Sequence, residues 1–328
     1  MINSLYVYRT DCKDPFINLA REEVLLKSGP SDGVLLYLWQ NEKTVVIGRN
    51  QNAFKECRVS LLEEEGGRLA RRLSGGGAVF HDSGNLNFTF ILPREDFDIK
   101  RQADVICRAC RSFGIDAVVS GRNDLEIGGR KFSGNAFYKS GDRAYHHGTL
   151  LINADMNLVG RYLNPPKAKL KAKGVDSVHS RIINLFDVVP EITKEALCRE
   201  LVCSAESVYG FSAKEFIFTS DMENEVLSKT NYYASDEWRF GSDTTATFCC
   251  EKTFGWGTVT FEFQIDYGMI SRVRVFTDAM DWEIPARIES ALSGKRFTGT
   301  DIKEGLISAE IDAGIKNDLC KMLEKQEI

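Results

Sequence analysis

The residues best suited to chemistry fall in three short blocks. The first is Arg71-Arg72-Leu73-Ser74-Gly75-Gly76-Gly77-Ala78-Val79-Phe80-His81-Asp82. Consecutive glycines let a backbone approach a ligand closely and turn successive N–H groups toward it, as in an anion-binding nest. Two arginines entering the turn add planar donors suited to phosphate or carboxylate. A tight turn with surface arginines would look the same locally, so the block alone leaves both readings open. It is neither a P-loop nor a dinucleotide fingerprint: no G-x-x-x-x-G-K-[ST] occurs, and Leu86–Leu92 reads as strand where the fingerprint needs a helix. The second block is Gly121-Arg122-Asn123-Asp124 followed by Gly128-Gly129-Arg130-Lys131-Phe132-Ser133-Gly134-Asn135-Ala136. Most lone lysines sit on the surface. Lys131, beside a hairpin and small residues, can instead be held rigidly enough to set its ammonium against a carbonyl and a phosphate together. Asp124 suits a magnesium ion, or simply a turn.

The third block is His146-His147-Gly148-Thr149. Adjacent histidines on a strand point to opposite faces, which predicts one toward a site and the other toward solvent, with His81 able to face the same pocket. Four histidines in all give no H-E-x-x-H or similar spacing, which argues against a metallohydrolase or a structural metal. No G-x-S-x-G occurs and no cysteine flanks the glycine or lysine blocks, so no nucleophilic triad stands out. Cys107 and Cys110 form a C-x-x-C on an apolar helical stripe and read as core thiols.

The elements that must position these blocks follow from periodicity. Asp14 as N-cap and Pro15 at the first position open a helix that Gly29-Pro30 stops. Val34–Trp39 and Thr44–Ile47 read as strands, Ala53–Glu65 as one helix, and Arg68–Leu73 and Leu86–Leu92 as strands flanking the glycine turn. Ile99, Ala103, Ile106, Cys110 and Phe113 trace a helix face capped by Gly114. Strands at Asp116–Ser120, Leu125–Ile127, Arg130–Phe132 and Ala144–Ile152 follow, with Gly128-Gly129 as a primed hairpin turn. Helices are predicted over 155–163, 194–209 and 221–233. Further on, Val259, Phe261, Phe263 and Ile265 alternate with polar residues as a half-buried strand, Ser271–Phe276 is a second, and helices cover 284–293, 301–307 and 308–325. This order predicts an α+β fold: a large catalytic domain with a mixed, largely antiparallel sheet and packed helices over residues 1–243, and a small C-terminal α+β domain over 244–328, joined near Phe240–Thr245.

Composition narrows the class. The 328 residues are 43% hydrophobic and 27% charged, as in ordinary globular proteins, and that length is a soft prior for two domains. A net charge of −5 counts against a nucleic-acid partner, and no apolar run is long enough to predict a membrane span. The start, Met1-Ile2-Asn3-Ser4, has no secretory pattern, and nine cysteines suggest reduced thiols, so a cytoplasmic location is expected. Lys167, Lys169, Lys171 and Lys173 form a basic stretch that reads as a solvated loop or as a surface steering an acidic partner.

Together these blocks resemble the lipoate–protein ligase family in its two-domain form, whose catalytic fold is shared with biotin–protein ligases and octanoyl transferases. The resemblance runs along most of the chain, through Leu38-Trp39-Gln40-Asn41, Val45-Val46-Ile47-Gly48-Arg49-Asn50-Gln51-Asn52, the glycine block, Gly84-Asn85-x-Asn87-Phe88, Gly121–Asp124, Lys131-x-Ser133-Gly134 and His146–Leu150. It implies an ATP-dependent ligase that converts lipoate to lipoyl-AMP with release of pyrophosphate, then transfers the lipoyl group to a lysine. On this resemblance Arg72, Gly77, Ala78, Val79 and Phe80 bind ATP. Lys131 touches both the lipoate carboxyl and the α-phosphate as the catalytic residue. Ser74, His81, Asn85, Ser133, Ala136, His147 and Gly148 line the lipoate pocket, and Asn123 and Asp124 contact magnesium or phosphate. An apolar slot among Trp39, Phe80 and neighbouring aliphatics takes the dithiolane tail. The implied co-substrates are ATP with Mg2+, and no redox cofactor is expected. The implied partners are lipoic acid and the apo lipoyl domains of 2-oxoacid dehydrogenase acyltransferases and of the glycine cleavage H protein. The chain departs from the family pattern at Ser235-Asp236-Glu237-Trp238, where a second aromatic is expected. An ATP-independent octanoyl or lipoyl transferase, or a non-catalytic lipoate-binding module, are the alternatives on this fold.

Overall fold

The computed structural model describes residues 2–121, 124–163, 182–241, 246 and 248–324. Asn123, the four basic-stretch lysines and most of the expected linker fall outside these residues. Their order in the chain is β1 (Ser4–Arg9), α1 (Pro15–Ser28), β2 (Gly33–Trp39), β3 (Thr44–Ile47), α2 (Ala53–Glu56), α3 (Val59–Glu64), β4 (Arg68–Arg71), β5 (Val79–His81) and β6 (Asn85–Pro93). Next come α4 (Ile99–Arg111), β7 (Val118–Ser120), β8 (Asp124–Ile127), β9 (Arg130–Ser140), β10 (Arg143–Leu151), α5 (Met156–Tyr162), α6 (Lys194–Tyr209), β11 (Ala213–Glu215), α7 (Ser220–Ala234) and α8 (Asp236–Phe240).

The α+β class is as the sequence predicts. Eight strands form one mixed sheet in the order β11-β1-β2-β6-β10-β9-β8-β7, parallel among the first three and antiparallel beyond. Both faces are covered, and strand alternation divides the side chains between them. Val34, Leu36, Leu38, Phe88 and Phe90 face α4 and α6, whereas Leu35, Tyr37, Trp39, Ile91 and Tyr145 face α1 and α7. A second small sheet, β4-β3-β5, carries α2, α3 and α5 on its far side. The chain ends in a C-terminal domain with β12 (Phe248–Phe254), β13 (Gly257–Asp266) and β14 (Met269–Thr277) as an antiparallel sheet, backed by α9 (Ile284–Leu292), α10 (Gly299–Ser308) and α11 (Ala313–Glu324) around its own apolar cluster. No helix among the described residues is long and apolar enough to cross a membrane.

The first helix forms as its ends predict: the Asp14 carboxylate accepts from the amides of Phe16 (2.9 Å) and Ile17 (3.4 Å), and Pro15 takes the first position. The helix expected over Ala53–Glu65 is broken. Cys57 is extended and bridges to Leu163, and the Arg58 amide donates to the Tyr162 carbonyl at 2.9 Å, so backbone groups needed for helix are spent on the neighbouring segment. Gly128 and Gly129 turn with φ of 56° and 77°, as a primed hairpin requires. Cys107 and Cys110 lie buried on α4 among apolar neighbours, and burial pushes the Cys110 thiol up to about 12.

The expectation for the histidine pair fails too. Neither His146 nor His147 meets solvent, because the sheet is covered on both sides: they are 2% and 7% exposed. His146 sits on the α4 face against Phe88 and Phe90, with Nε2 3.1 Å from Asn135 Oδ1. Burial, and then the neighbouring His147, hold its pKa down to about 3. An unfolded histidine titrates near 6.5. Between these values the unfolded chain binds a proton that the fold refuses, so stability is full above about pH 6.5 and is lost as pH falls toward 3. The urea midpoint should therefore drop from pH 7.5 to pH 5, and His146→Gln should shrink that drop. An identical pH dependence in the variant would remove His146 from the account.

Candidate functional site

A pocket opens between the α1 face of the main sheet and the small sheet. Four main-sheet strands floor it, with Trp39 on β2, Asn87 on β6, His147 and Thr149 on β10, and Lys131, Gly134 and Ala136 on β9. The other wall is Val46 on β3, the glycine loop at Gly76-Gly77-Ala78, and Val79 and His81 on β5, with Leu19 of α1 closing one side.

Lys131 reaches this pocket through a break in register. Leu125 faces Ser133 across the β8–β9 pair, yet Glu126 faces Lys131, leaving Phe132 as an extra residue. Such a bulge reverses the parity of a strand and re-aims its side chains. Phe132 is thereby buried in the opposite core, and Lys131 joins Gly134 and Ala136 on the pocket side. The Lys131 ammonium lies 2.7 Å from Asp124 Oδ1. Gly134 makes room for it: a Cβ there would stand 2.9 Å from Lys131 Nζ.

The glycine loop is held from within by Arg72. Its Nη2 donates to the carbonyls of Gly75 (2.7 Å) and Gly77 (2.8 Å), Nη1 to Val46 O (3.2 Å), and Nε to Ser74 Oγ (3.0 Å). Most donors of this pocket-lining arginine are thus engaged by the loop itself. Burial lowers its pKa to about 10, leaving it charged at neutral pH. Arg71, one residue earlier on β4, points the other way and donates to the carbonyls of Gly48, Arg49, Gln51, Trp238 and Arg239. It does not reach the pocket.

Behind the floor runs a hydrogen-bonded line that the sequence does not announce. Ser74 Oγ is 2.8 Å from His147 Nε2, and His147 Nδ1 is 2.8 Å from Glu22 Oε1. Thr89 Oγ1 donates to the same carboxylate oxygen (2.7 Å) and accepts from Trp39 Nε1 (3.0 Å). His147 Nδ1 donates to the Glu22 carboxylate, and Ser74 Oγ accepts from Arg72 Nε. The groups follow the order of a hydrolytic triad. Ser74, however, has no exposed surface and lies outside the pocket lining, so the line acts as a brace. Glu22 sits in the run Arg21-Glu22-Glu23, which reads as solvent-facing. It turns inward because α1 is buried around much of its girth, at Asn18, Leu19, Ala20, Glu22 and Val24.

Of the residues named from sequence, Arg72, Gly77, Ala78, Val79, His81, Lys131, Ala136, His147 and Gly148 line the pocket. Asp124 stands at Lys131, and Ser74 lies one layer back. Phe80 does not face the pocket: between Val79 and His81 it points to the far side of the small sheet and packs on Tyr162, ring centroids 5.4 Å apart. Asn85 is buried against Asn87, and Ser133, under Asn135, is fully buried outside the lining. Leu19, Val46, Asn87, Asn135 and Thr149 complete the lining and were not singled out from sequence. Leu19 and Val46 look like any core position until the strands are assembled, whereas Asn87, Asn135 and Thr149 stand in the quoted blocks without an assigned role.

The C-terminal domain reaches the same loop. The Gly76 amide donates to Ala279 O (3.1 Å), and Asn50 Nδ2 donates to Trp282 O (2.7 Å). The Trp282 ring lies 5.0 Å from Tyr138 and beneath the Arg49 guanidinium at 4.5 Å. Gly75 is the point of closest approach, since a Cβ there would stand 2.4 Å from Ala279 O.

The sequence model of the lipoyl protein ligase A/B catalytic domain matches residues 14–206, and that of the bacterial lipoate protein ligase C-terminus matches residues 245–325. The chain belongs to the lipoyl protein ligase A/B family. Among solved structures, that of P. falciparum LipL1 in complex with lipoate is similar at a TM-score of 0.85 and 26% identity, over 98% of this chain and 99% of that one. A bipartite lipoate protein ligase from Thermoplasma acidophilum, studied with its E2 lipoyl domain, is similar at a TM-score of 0.66 and 25% identity, over 76% of this chain and 100% of that one. Lipoate-protein ligase A bound with ATP shares the fold at a TM-score of 0.65 and 24% identity, over 74% and 99%.

The contact at Gly75 is testable without any assay of activity. Gly75→Ala should push the Ala279–Trp282 segment away while leaving the N-terminal cores intact. Faster hydrogen exchange at the Gly76 amide and a red shift in tryptophan emission are expected. Unchanged exchange at Gly76 would mean the segment is not seated there.

Proposed function

We propose that this chain is an ATP-dependent lipoate–protein ligase. The observation that carries the reading is the bulge-turned Lys131, whose ammonium stands at the mouth of a pocket with a glycine loop on one wall and an apolar interior. A carboxylate head placed at Lys131 leaves its acyl tail to run toward Trp39, Val46 and Leu19. In the first step a lipoate oxygen attacks the α-phosphorus of Mg·ATP, the P–O bond to the β-phosphate breaks, and pyrophosphate leaves. In the second, the amine of an acceptor lysine attacks the carbonyl carbon of lipoyl-AMP, loses a proton, and expels AMP. Both steps build negative charge at one locus, which a single fixed ammonium can stabilise, and neither needs an enzyme nucleophile. The glycine loop and Arg72 serve the nucleotide in this reading, with Arg72 acting chiefly by shaping the loop. Magnesium arrives with ATP, and Asp124, already engaged by Lys131, offers it at most one carboxylate beside phosphate oxygens and water.

The acceptors proposed are apo lipoyl domains of 2-oxoacid dehydrogenase acyltransferases and the glycine cleavage H protein. The P. falciparum protein is described with lipoate and the archaeal one with its E2 lipoyl domain, which supports these classes. The nine cysteines, none of them disulfide-bonded, fit a reducing cytoplasm. We assign the chemistry to residues 1–243. Residues 244–328 act as a lid that keeps water from the acyl-adenylate, which the contact of Ala279 with the glycine loop supports.

With ATP, magnesium, lipoate and an apo lipoyl domain, intact mass should show the domain gaining one lipoyl group, with pyrophosphate released. Lys131→Ala should lower both pyrophosphate release and transfer from supplied lipoyl-AMP by at least about 10²-fold, the usual cost of one oxyanion donor. Near-normal turnover in that variant would sink its assignment, and modification without ATP would favour a transferase. A chain of residues 1–243 should fail to adenylate lipoate yet still transfer from lipoyl-AMP. If it adenylates at the full rate, the C-terminal domain is not needed for activation.

A further inference from the structure

Three arginines stand beside the glycine loop and the Gly48–Gln51 loop packed on it, and the protein uses the donors of two. Arg71 donates to backbone carbonyls, and Arg72 to carbonyls and to Ser74. The third, Arg49, is half-buried, and among the described residues its guanidinium makes no hydrogen bond and no ion pair. Its partners are two indole faces, that of Trp282 at 4.5 Å and that of Trp238 at 5.5 Å. A guanidinium stacked on a ring engages its face and keeps its in-plane N–H fork free for a second partner.

The backbone holds that fork in place from both sides. The Arg49 amide donates to Ser74 O (2.9 Å), and a Cβ on Gly48 would stand 2.2 Å from Gly76 O, so the two loops touch backbone to backbone. Asn50 O accepts from the Thr277 amide (2.9 Å), and Asn50 Nδ2 donates to Trp282 O (2.7 Å). The pocket lies alongside. Gly134 and Ala136 line it on β9, and Tyr138, two residues further on the same face, meets the Trp282 ring at 5.0 Å. Arg49 therefore stands just past the Ala136 end of the pocket, beside the glycine loop. Positive charge is in excess at this corner: burial first, and then Arg274 and Arg49 as like charges, lower the Arg71 pKa to about 10.

We propose that Arg49 binds the β- and γ-phosphates of ATP and takes the charge of the departing pyrophosphate. The inference rests on the ligase reading of the pocket and gives that site a catalytic residue for its first step alone. When a lipoate oxygen bonds to the α-phosphorus, the bond from that phosphorus to the bridging oxygen breaks, and its electron pair stays on the diphosphate. Lys131 is engaged at the carboxyl and the α-phosphate in this reading, so the charge on the leaving group needs a second cation. A planar fork can bind two phosphate oxygens together, and one already fixed by its neighbours loses little freedom in doing so. The second step expels AMP and contains no diphosphate, so Arg49 has nothing to hold there.

The test uses the full chain and two variants, each checked for an unchanged melting temperature. Arg49→Met keeps an apolar stem between the indoles, and Arg49→Lys keeps the charge without the fork. In Arg49→Met, pyrophosphate release from lipoate and Mg·ATP should fall on the order of 10²-fold in kcat/KM for ATP, and by less in Arg49→Lys. Transfer from supplied lipoyl-AMP to an apo lipoyl domain should change by less than about twofold in both. Titration calorimetry with inorganic pyrophosphate should show binding weakened about tenfold in Arg49→Met. Unchanged pyrophosphate release in a folded Arg49→Met would overturn the inference while leaving the ligase reading in place. So would an equal loss in both half-reactions, the mark of a residue that only shapes the loop. If the wild type releases no pyrophosphate from lipoate and ATP, the ligase reading itself falls, and equal pyrophosphate binding by wild type and Arg49→Met would then overturn the anion site as well. A loss confined to the first step, with weaker pyrophosphate binding, supports it.

Discussion

Arg71 and Arg72 are adjacent in sequence, each more than nine-tenths buried, and among the described residues neither meets a carboxylate. Burying a cation without a counter-ion is costly unless hydrogen bonds replace its water. Here backbone carbonyls do so, and with Arg71 ending β4 and Arg72 following it directly, the two recruit carbonyls from opposite directions. Arg71 draws in the loop at Gly48–Gln51 and the helix ending at Phe240, and Arg72 draws in the glycine loop. Burial lowers both to about 10, still charged at neutral pH, so the carbonyls cannot be released without stranding a charge. The shape of the glycine loop is therefore a consequence of electrostatics before any ligand arrives.

The same constraint extends into the main sheet. Arg72 Nε sets Ser74, Ser74 sets His147, and His147 and Thr89 share the Glu22 carboxylate. Each member is hydrogen-bonded to the next, so α1, β2, β6, β10 and the loop cannot shift independently. A polar network of this kind stabilises only when every member is satisfied. It also explains why a helix with Arg21-Glu22-Glu23 at its centre buries the middle residue.

Much of this was legible in the sequence. The glycine block, Lys131 and the histidine pair were readable because their residue types are unusual for loops or strands, and the α+β class followed from the two periodicities. What escaped had physical reasons. The β8–β9 bulge adds one residue without any glycine or proline to mark it, so strict alternation would have put Lys131 on the wrong face. Phe80 is the converse: alternation between Val79 and His81 is obeyed, and family likeness alone suggested an inward ring. The strand Ser4–Arg9 is paired on both sides, but its hydrogen bonds go to segments at 33–38 and 213–215, too distant for local pattern to reveal. One of His146 and His147 was expected in water because adjacent residues on a strand face opposite ways. The second helix layer that covers that face could only be inferred from the assembled fold.

The position of Ala279 bears on how the proposed reaction would be ordered. In an anion-binding nest the useful groups are free backbone N–H donors, and the Gly76 amide, at φ 88°, has the left-handed geometry such a turn needs. That amide is here occupied by a carbonyl of the C-terminal domain. A phosphate oxygen and Ala279 O cannot share the donor at full strength, because a backbone amide has a single hydrogen to give. Under the proposed function, nucleotide binding and this docked arrangement would compete for one hydrogen. The C-terminal segment then does more than cover the site: its departure from Gly76 becomes part of the free energy of binding ATP.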